Sequence, residues 1–282
     1  MSMSILNNIP ALAAQNALAN TQAQLQSTLF QLSSGSRINS GADDAAGLAI
    51  ANGMEANVTA LNQSSQNAND GVGQLQVADG ALSQVTSLLN RAVTLATEAS
   101  NGTVTATQQT ALDNEFSKIK TEIGNIGTNS NFNGSTVFSA STTSIFLSDS
   151  SSSYTIGVTV GALSASNIQG GSTSGLTAVN LTSDSLTSVT NATAALTDIN
   201  NAITNVASKR GEVGATINQL QAASNVISTQ VQNLTSAENN ITAADIPSVV
   251  GNLSRLNILN ATGMSALAQA NSSQQSVLRL LQ

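Results

Sequence analysis

The chain has no histidine, no cysteine and no tryptophan, and only one tyrosine and two prolines among its 282 residues. Without imidazole or thiol there is no thiolate nucleophile, no imidazole base, no disulfide and no structural zinc site, which removes most common catalytic and metal-site designs. Charged residues make up 8% of the chain, against about 25% in an average globular protein. The net charge of -7 is spread thinly, with no cluster of lysine or arginine to meet a phosphate backbone, so nucleic acid is not an expected partner. No stretch approaches the roughly 20 apolar residues of a membrane span, and residues 1–15 lack the basic start and apolar run of a cleavable export signal. Aromatics are 2% of the chain. A core must therefore be built from Ala, Val, Ile and Leu, which favours packed helices.

What is abundant is neutral polarity: Ser, Thr, Asn and Gln together number 123. Against that background the apolar residues fall at helical spacing. Leu18, Leu25 and Leu32 repeat every seven residues, with Ile5 and Leu12 seven apart on a neighbouring row and Leu29 beside them. Gly35 supplies a left-handed residue to end this helix. Asp43 and Asp44 stand where carboxylates favour the start of the next helix, a reading preferred over paired catalytic acids. The next stripe runs Val58, Leu61, Ser65, Ala68, Val72, Leu75, Asp79, Leu82, Val85, Leu89, Ala92, Ala96, in steps of three and four. Thirty-nine residues of this kind make a rod of about 58 Å, the length of a coiled coil. Gly71, Gly73 and Gly80 lie within it, without the strand or lysine of a phosphate loop, and mark close helix packing. A shorter helix carries Leu112, Phe116, Ile119, Ile123 and Ile126 and is expected to end at Gly127.

From about residue 129 to 183 the chain turns to Gly, Ser, Thr and Asn, with strand-like alternation from Tyr154 to Val160; short hairpins are expected. Ser150 to Ser153 form a candidate site for O-linked sugar. The second long seam then runs Leu196, Ile199, Ile203, Val206, Arg210, Val213, Ile217, Leu220, Ser224, Ile227, Val231, Leu234. Pro247 sits in the first turn of a last helix whose row is Val249, Leu253, Leu256, Leu267, Ala270, Val277 and Leu281.

The order of elements is nearly palindromic, and pairing like with like predicts a mainly α fold: a long antiparallel coiled-coil bundle with a small β-hairpin region and both termini at one end. The domains are then discontinuous. Residues 1–42 and 246–282 form a terminal helical domain; residues 43–188 and 189–245 form a core helical domain with no large outer domain. Each long seam is broken by one charge, Asp79 and Arg210, and an antiparallel register that joins them neutralises both. The terminal segments are too short and polar to hold a core alone, so their folding is expected to be coupled to association with further copies, and head-to-tail association of this kind generates helical polymers.

Leu32-Ser33-Ser34-Gly35-Ser36-Arg37-Ile38-Asn39-Ser40-Gly41-Ala42-Asp43-Asp44-Ala45-Ala46-Gly47-Leu48-Ala49-Ile50 is similar throughout to the amino-terminal signature of the bacterial flagellin family. Ala68-Asn69-Asp70-Gly71, Ala78-Asp79-Gly80-Ala81-Leu82, Phe132-Asn133-Gly134, Asn233-Leu234-Thr235-Ser236-Ala237-Glu238 and Leu267-Ala268-Gln269-Ala270-Asn271 follow in the family's order, with Val277-Leu278-Arg279-Leu280-Leu281 at the carboxyl end. The resemblance implies the subunit of the flagellar filament, a secreted homopolymer without cofactor or enzymatic activity. It implies passage unfolded through the flagellar type III export apparatus, with chaperone, cap and junction proteins as partners. Assembly stripes are expected at Leu18, Leu25, Leu32, Leu253, Leu256, Leu267, Val277 and Leu281. The family's contact with the Toll-like flagellin receptor maps onto Arg91, Leu95 and Glu115, with Asn90 replacing the usual Gln. Asn239, Asn240 and Thr242 are neutral where the family is usually basic, and Ser273 stands where a proline is common. The alternative is the hook-filament junction protein, which shares the terminal helices; formation of long homopolymers separates the two.

Overall fold

The computed structural model describes residues 8–149, 154–171 and 176–280, with side chains described through Ser276. Ile5, Ser150 to Ser153, Leu281 and the side chain of Val277 lie outside the described residues. Among the described residues five helices carry the fold: α1 (Ile9–Ser34), α2 (Ala45–Ala99), α3 (Ala106–Asn129), α4 (Val189–Thr242) and α5 (Ile246–Leu280). Between α3 and α4 the described residues form three small antiparallel hairpins, β1 (Asn131–Phe132) with β2 (Ser135–Thr136), β3 (Thr143–Phe146) with β4 (Thr155–Val158), and β5 (Leu163–Ser164) with β6 (Asn167–Ile168).

The helix boundaries follow from local chemistry. The Asn8 side chain accepts a hydrogen bond from the Ala11 N–H, and Pro10 occupies the first turn, where its missing N–H costs nothing. Gly35 closes α1 at φ 69°, its N–H returning to the Gln31 carbonyl. Asp44 accepts from the Gly47 N–H at 2.8 Å and so caps α2, whereas Asp43 accepts from the Asn39 and Ser40 N–H groups and the Ser40 hydroxyl and holds the preceding turn instead. Thr105 and Gln108 form a capping box at the start of α3. Gly127 does not end α3. The helix continues to Asn129, and a Cβ at Gly127 would overlap the Leu163 carbonyl oxygen, so this glycine admits β5 against the helix rather than terminating it. At the β1–β2 turn Asn133 and Gly134 both have positive φ, the pair of left-handed residues that a two-residue hairpin of type I′ demands.

The chain divides into two compact units, Met1–Ala56 with Asn233–Gln282, and Asn57–Gln232. The division falls inside α2 and α4. The first turn of α2 packs on the segment before it, with Gly47 set so close to Ile38 that a Cβ would lie 2.9 Å from its Cδ1.

In the larger unit the two long seams face each other. Ser65 and Ser224 hydroxyls lie 3.2 Å apart, and fourteen residues further along each helix Arg210 donates to Asp79 through Nε at 2.8 Å and Nη2 at 3.2 Å. One antiparallel register therefore holds across this span. Leu61, Leu75, Leu82, Val85 and Leu89 of α2 and Ile199, Val206, Val213, Leu220 and Ile227 of α4 are buried. Phe116, Ile119 and Ile123 of α3 are also in the core, and the hairpins add Val137, Ile145, Ile156, Val158 and Ile168. Glycine at 71 lets the β3–β4 hairpin approach α2, where a Cβ would overlap Ile145 Cδ1.

Candidate functional site

Unit 1 (Met1–Ala56 with Asn233–Gln282) is built on α1 and α5 running antiparallel: the Asn8 Nδ2 donates to the Ala270 carbonyl at 3.3 Å, Leu18 faces Gly263, and the Ala244 N–H donates to the Gly35 carbonyl at 2.9 Å. The facing stripe of α1 is Ala11, Ala14, Leu18, Thr21, Leu25, Thr28 and Leu32, a heptad row, and that of α5 is Val249, Leu253, Leu256, Asn260, Gly263, Leu267, Ala270 and Gln274. Of the residues expected from the sequence, Leu256 is buried, while Leu18, Leu25, Leu32, Leu253 and Leu267 are half-buried. The stripe thus meets its partner helix but is only partly covered. A Leu contributes roughly 1.5–3 kcal/mol when fully buried, so half-covered leucines contribute about half of that each.

The opposite faces carry large apolar side chains with no cover. Phe30 is 69% exposed, Ile258 66% and Leu12 59%, with Ile9, Leu29, Leu259 and Met264 also exposed. Of these, Leu12 and Leu29 were marked on or beside the neighbouring heptad row; Phe30, Ile258 and Met264 were missed. The signal available was a large apolar residue off its helix's seam. None of the 26 residues of α1 is charged.

A clasp of hydrogen bonds joins the segment after α1 to the last turn of α4. The Arg37 N–H donates to the Thr242 carbonyl at 2.6 Å, its Nη2 to the Ile241 carbonyl at 2.8 Å, and the Ser36 hydroxyl to the Thr242 carbonyl at 3.0 Å. Ser36 and Ala243 pair as an isolated antiparallel bridge. Sequence reasoning placed Arg37 only within a motif; nothing in the helical periodicity marks a residue that works in a break between helices. Nearby, hydrogen bonds from the Asn39 and Ser40 backbone hold the Asp43 carboxyl below its ordinary range.

In unit 2 (Asn57–Gln232), Arg91 on α2 donates through Nε to Glu115 on α3 at 2.8 Å, both side chains about half-exposed. The hydrogen bond lowers the Glu115 carboxyl and raises the Arg91 guanidinium. Leu95 does not join them at the surface. It is 1% exposed, because α2 packs on two neighbours and its buried face extends beyond a single seam. Among the described residues no group of three or more carboxylate, histidine or cysteine side chains is placed to hold a metal ion, and no helix is long and apolar enough to cross a membrane.

The terminal helices α1 and α5 thus pair with each other and leave large apolar side chains uncovered. Two family models match this chain, the bacterial flagellin N-terminal helical region over residues 5–143 and the bacterial flagellin C-terminal helical region over residues 196–281. The flagellin of Halalkalibacterium halodurans is 36% identical across 99% of this chain and the whole of the relative. The chain belongs to the bacterial flagellin family. Flagellin of Bacillus subtilis is 32% identical and the flagellar filament 33 kDa core protein of Treponema phagedenis 30% identical, each over 99% of this chain and its own full length. The flagellin family is a structural one, its filament extracellular, and family membership implies self-polymerisation. Between the two matched regions lie the β3–β4 and β5–β6 hairpins and the start of α4.

Proposed function

We propose that this flagellin is the self-assembling subunit of a bacterial flagellar filament, and that residues 1–42 and 246–282 are the part which neighbouring copies cover. The observation that carries this is the large apolar side chains that α1 and α5 leave uncovered, Leu12, Phe30, Ile258 and Met264 among them, beside a seam already taken by the partner helix. Large apolar side chains left exposed at several positions on both paired helices mark an interaction site. Its burial between copies supplies the apolar area that a lone α1–α5 pair lacks, and head-to-tail repetition of such a contact extends without closing. The described stripe residues Leu18, Leu25, Leu32, Leu253, Leu256 and Leu267 order the terminal pair; the outward side chains join the copies.

Family resemblance supplies the finer partners: the type III export apparatus and chaperone, the cap under which subunits add, and the junction proteins. It also supplies a contact with the Toll-like flagellin receptor. Here that contact would fall on Arg91 and Glu115, since Leu95 is buried. The decisive experiment is electron microscopy of purified protein after seeding or salting out. Long uniform filaments are expected from the full chain. None should form after deletion of residues 1–30 or 255–282, which leaves a soluble helical monomer. Filaments from either truncation would sink the assignment of the terminal helices, and short ends from the full chain would indicate a junction adaptor.

A further inference from the structure

Residues 181–188 cross from the hairpin region to α4 as a strap over α3. Leu181 and Leu186 are fully buried and anchor it. The Leu181 N–H donates to the Ala165 carbonyl at 2.8 Å, the Leu186 N–H to Asp113 Oδ1 of α3 at 2.7 Å, and Lys120 Nζ of α3 to the Asp184 carbonyl at 2.6 Å. The Lys120 ammonium also lies 4.7 Å over the Phe116 ring. The side chain of Asp184 has no such settlement: its Oδ2 is buried without a hydrogen-bond partner. The charged groups that act on it are Asp198 from α4 and Lys120 from α3, one carboxylate and one ammonium whose own hydrogen bond goes to the Asp184 backbone carbonyl. An ionised carboxylate is poorly served there, whereas a protonated one removes the repulsion and the desolvation cost together.

We propose that the strap is an acid-tightened clasp between α3 and α4, with the Asp184 carboxyl as the group whose protonation tightens it. Burial first, then the Asp198 charge, push this carboxyl above its ordinary value, and Lys120 only partly offsets them. A folded-state value above the unfolded one means that the fold binds the proton more tightly. The associated stability is present below the ordinary carboxylate value of about 4 and is lost as the pH rises through the raised value. Once ionised, the Asp184 carboxylate is only partly offset by Lys120.

The test is amide hydrogen exchange across residues 181–188 of the full chain, corrected for intrinsic rates, at pH 4 and pH 7.5. Asp184→Asn should slow exchange at pH 7.5 by about threefold or more relative to the unchanged protein, with the difference gone at pH 4. Asp198→Asn should act in the same direction and less strongly, and it decides the matter alone if Asp184→Asn fails to fold. Equal or faster exchange in the variants at pH 7.5 overturns the proposal. So does slower exchange that is the same at both pH values, which would reflect packing rather than titration.

Discussion

The pairing of Asp79 with Arg210 is the most direct link between sequence and register, and removing it has a predictable cost. Both side chains sit on seams that are otherwise apolar or small, and the guanidinium holds the carboxylate with two nitrogens at 2.8 and 3.2 Å. The arginine side chain is 37% exposed and the aspartate 41%, so water screens the pair and the value of a fully buried bridge does not apply. A double-mutant cycle on Asp79→Ala and Arg210→Ala should give a coupling energy of about 0.5–1 kcal/mol, the upper part of the range for exposed pairs because the contact is bidentate. For a unit the size of Asn57–Gln232 this corresponds to a shift of about 1–4 °C in melting temperature. The assay is urea unfolding at low salt followed by far-UV circular dichroism. The hydrogen bond from Arg210 holds the Asp79 carboxyl below its ordinary value, against partial burial. A lowered folded value contributes stability above the unfolded value near 4, which is lost as the pH falls through the folded one. The coupling should therefore vanish in strong acid and shrink at 1 M salt, where the Debye length is about 3 Å. Additive single mutants at neutral pH and low salt, within about 0.2 kcal/mol, would refute the reasoning.

Glycines separate into two classes by what surrounds them. Gly127→Ala should destabilise by about 1–3 kcal/mol because backbone must move, whereas Gly80→Ala and Gly124→Ala, with open space around the new methyl, should stabilise by up to about 1 kcal/mol; thermal unfolding of the three variants checks both signs. Asp43→Ala frees the Asn39 and Ser40 donors and should speed amide exchange at those two residues, with the unchanged protein approaching the variant only as acid protonates a carboxyl whose value is already lowered. Phe30→Ser and Ile258→Ser, at exposed positions, should change monomer stability by no more than about 0.5 kcal/mol while raising the concentration needed for polymerisation, measured by sedimentation of filaments. A stability loss that matches the assembly loss would place those side chains inside the subunit.

The helices were legible because a 3.5-residue repeat of larger aliphatic residues stands out in a chain rich in neutral polar residues. The seams of α2 and α4, the Gly35 stop and the first-turn Pro247 all report local rules acting within a few residues. The Asp79–Arg210 contact was readable too, since a lone charge in each of two matched seams leaves one register that joins them. Other features gave no such signal. Asn205 is buried at 2% exposure and donates to the Ile168 and Thr177 carbonyls at 2.9 Å, closing the hairpin region onto α4, yet in sequence it is one amide among many. Ser64, equally buried, donates to the Ser148 carbonyl at 2.9 Å.

By itself the sequence determined the class of protein: helical, almost uncharged, without imidazole or thiol chemistry, and with terminal segments that cannot complete their own burial. Periodicity and composition decide those points because they act through local geometry and through the totals of apolar and ionisable groups. Only the tertiary structure decided that Gly127 is a notch for β5 rather than a helix stop, that Leu95 is core rather than surface, and that Asp184 keeps a buried oxygen without a partner. Each depends on which atoms from distant parts of the chain share the same few ångströms, and neither spacing nor composition carries that information.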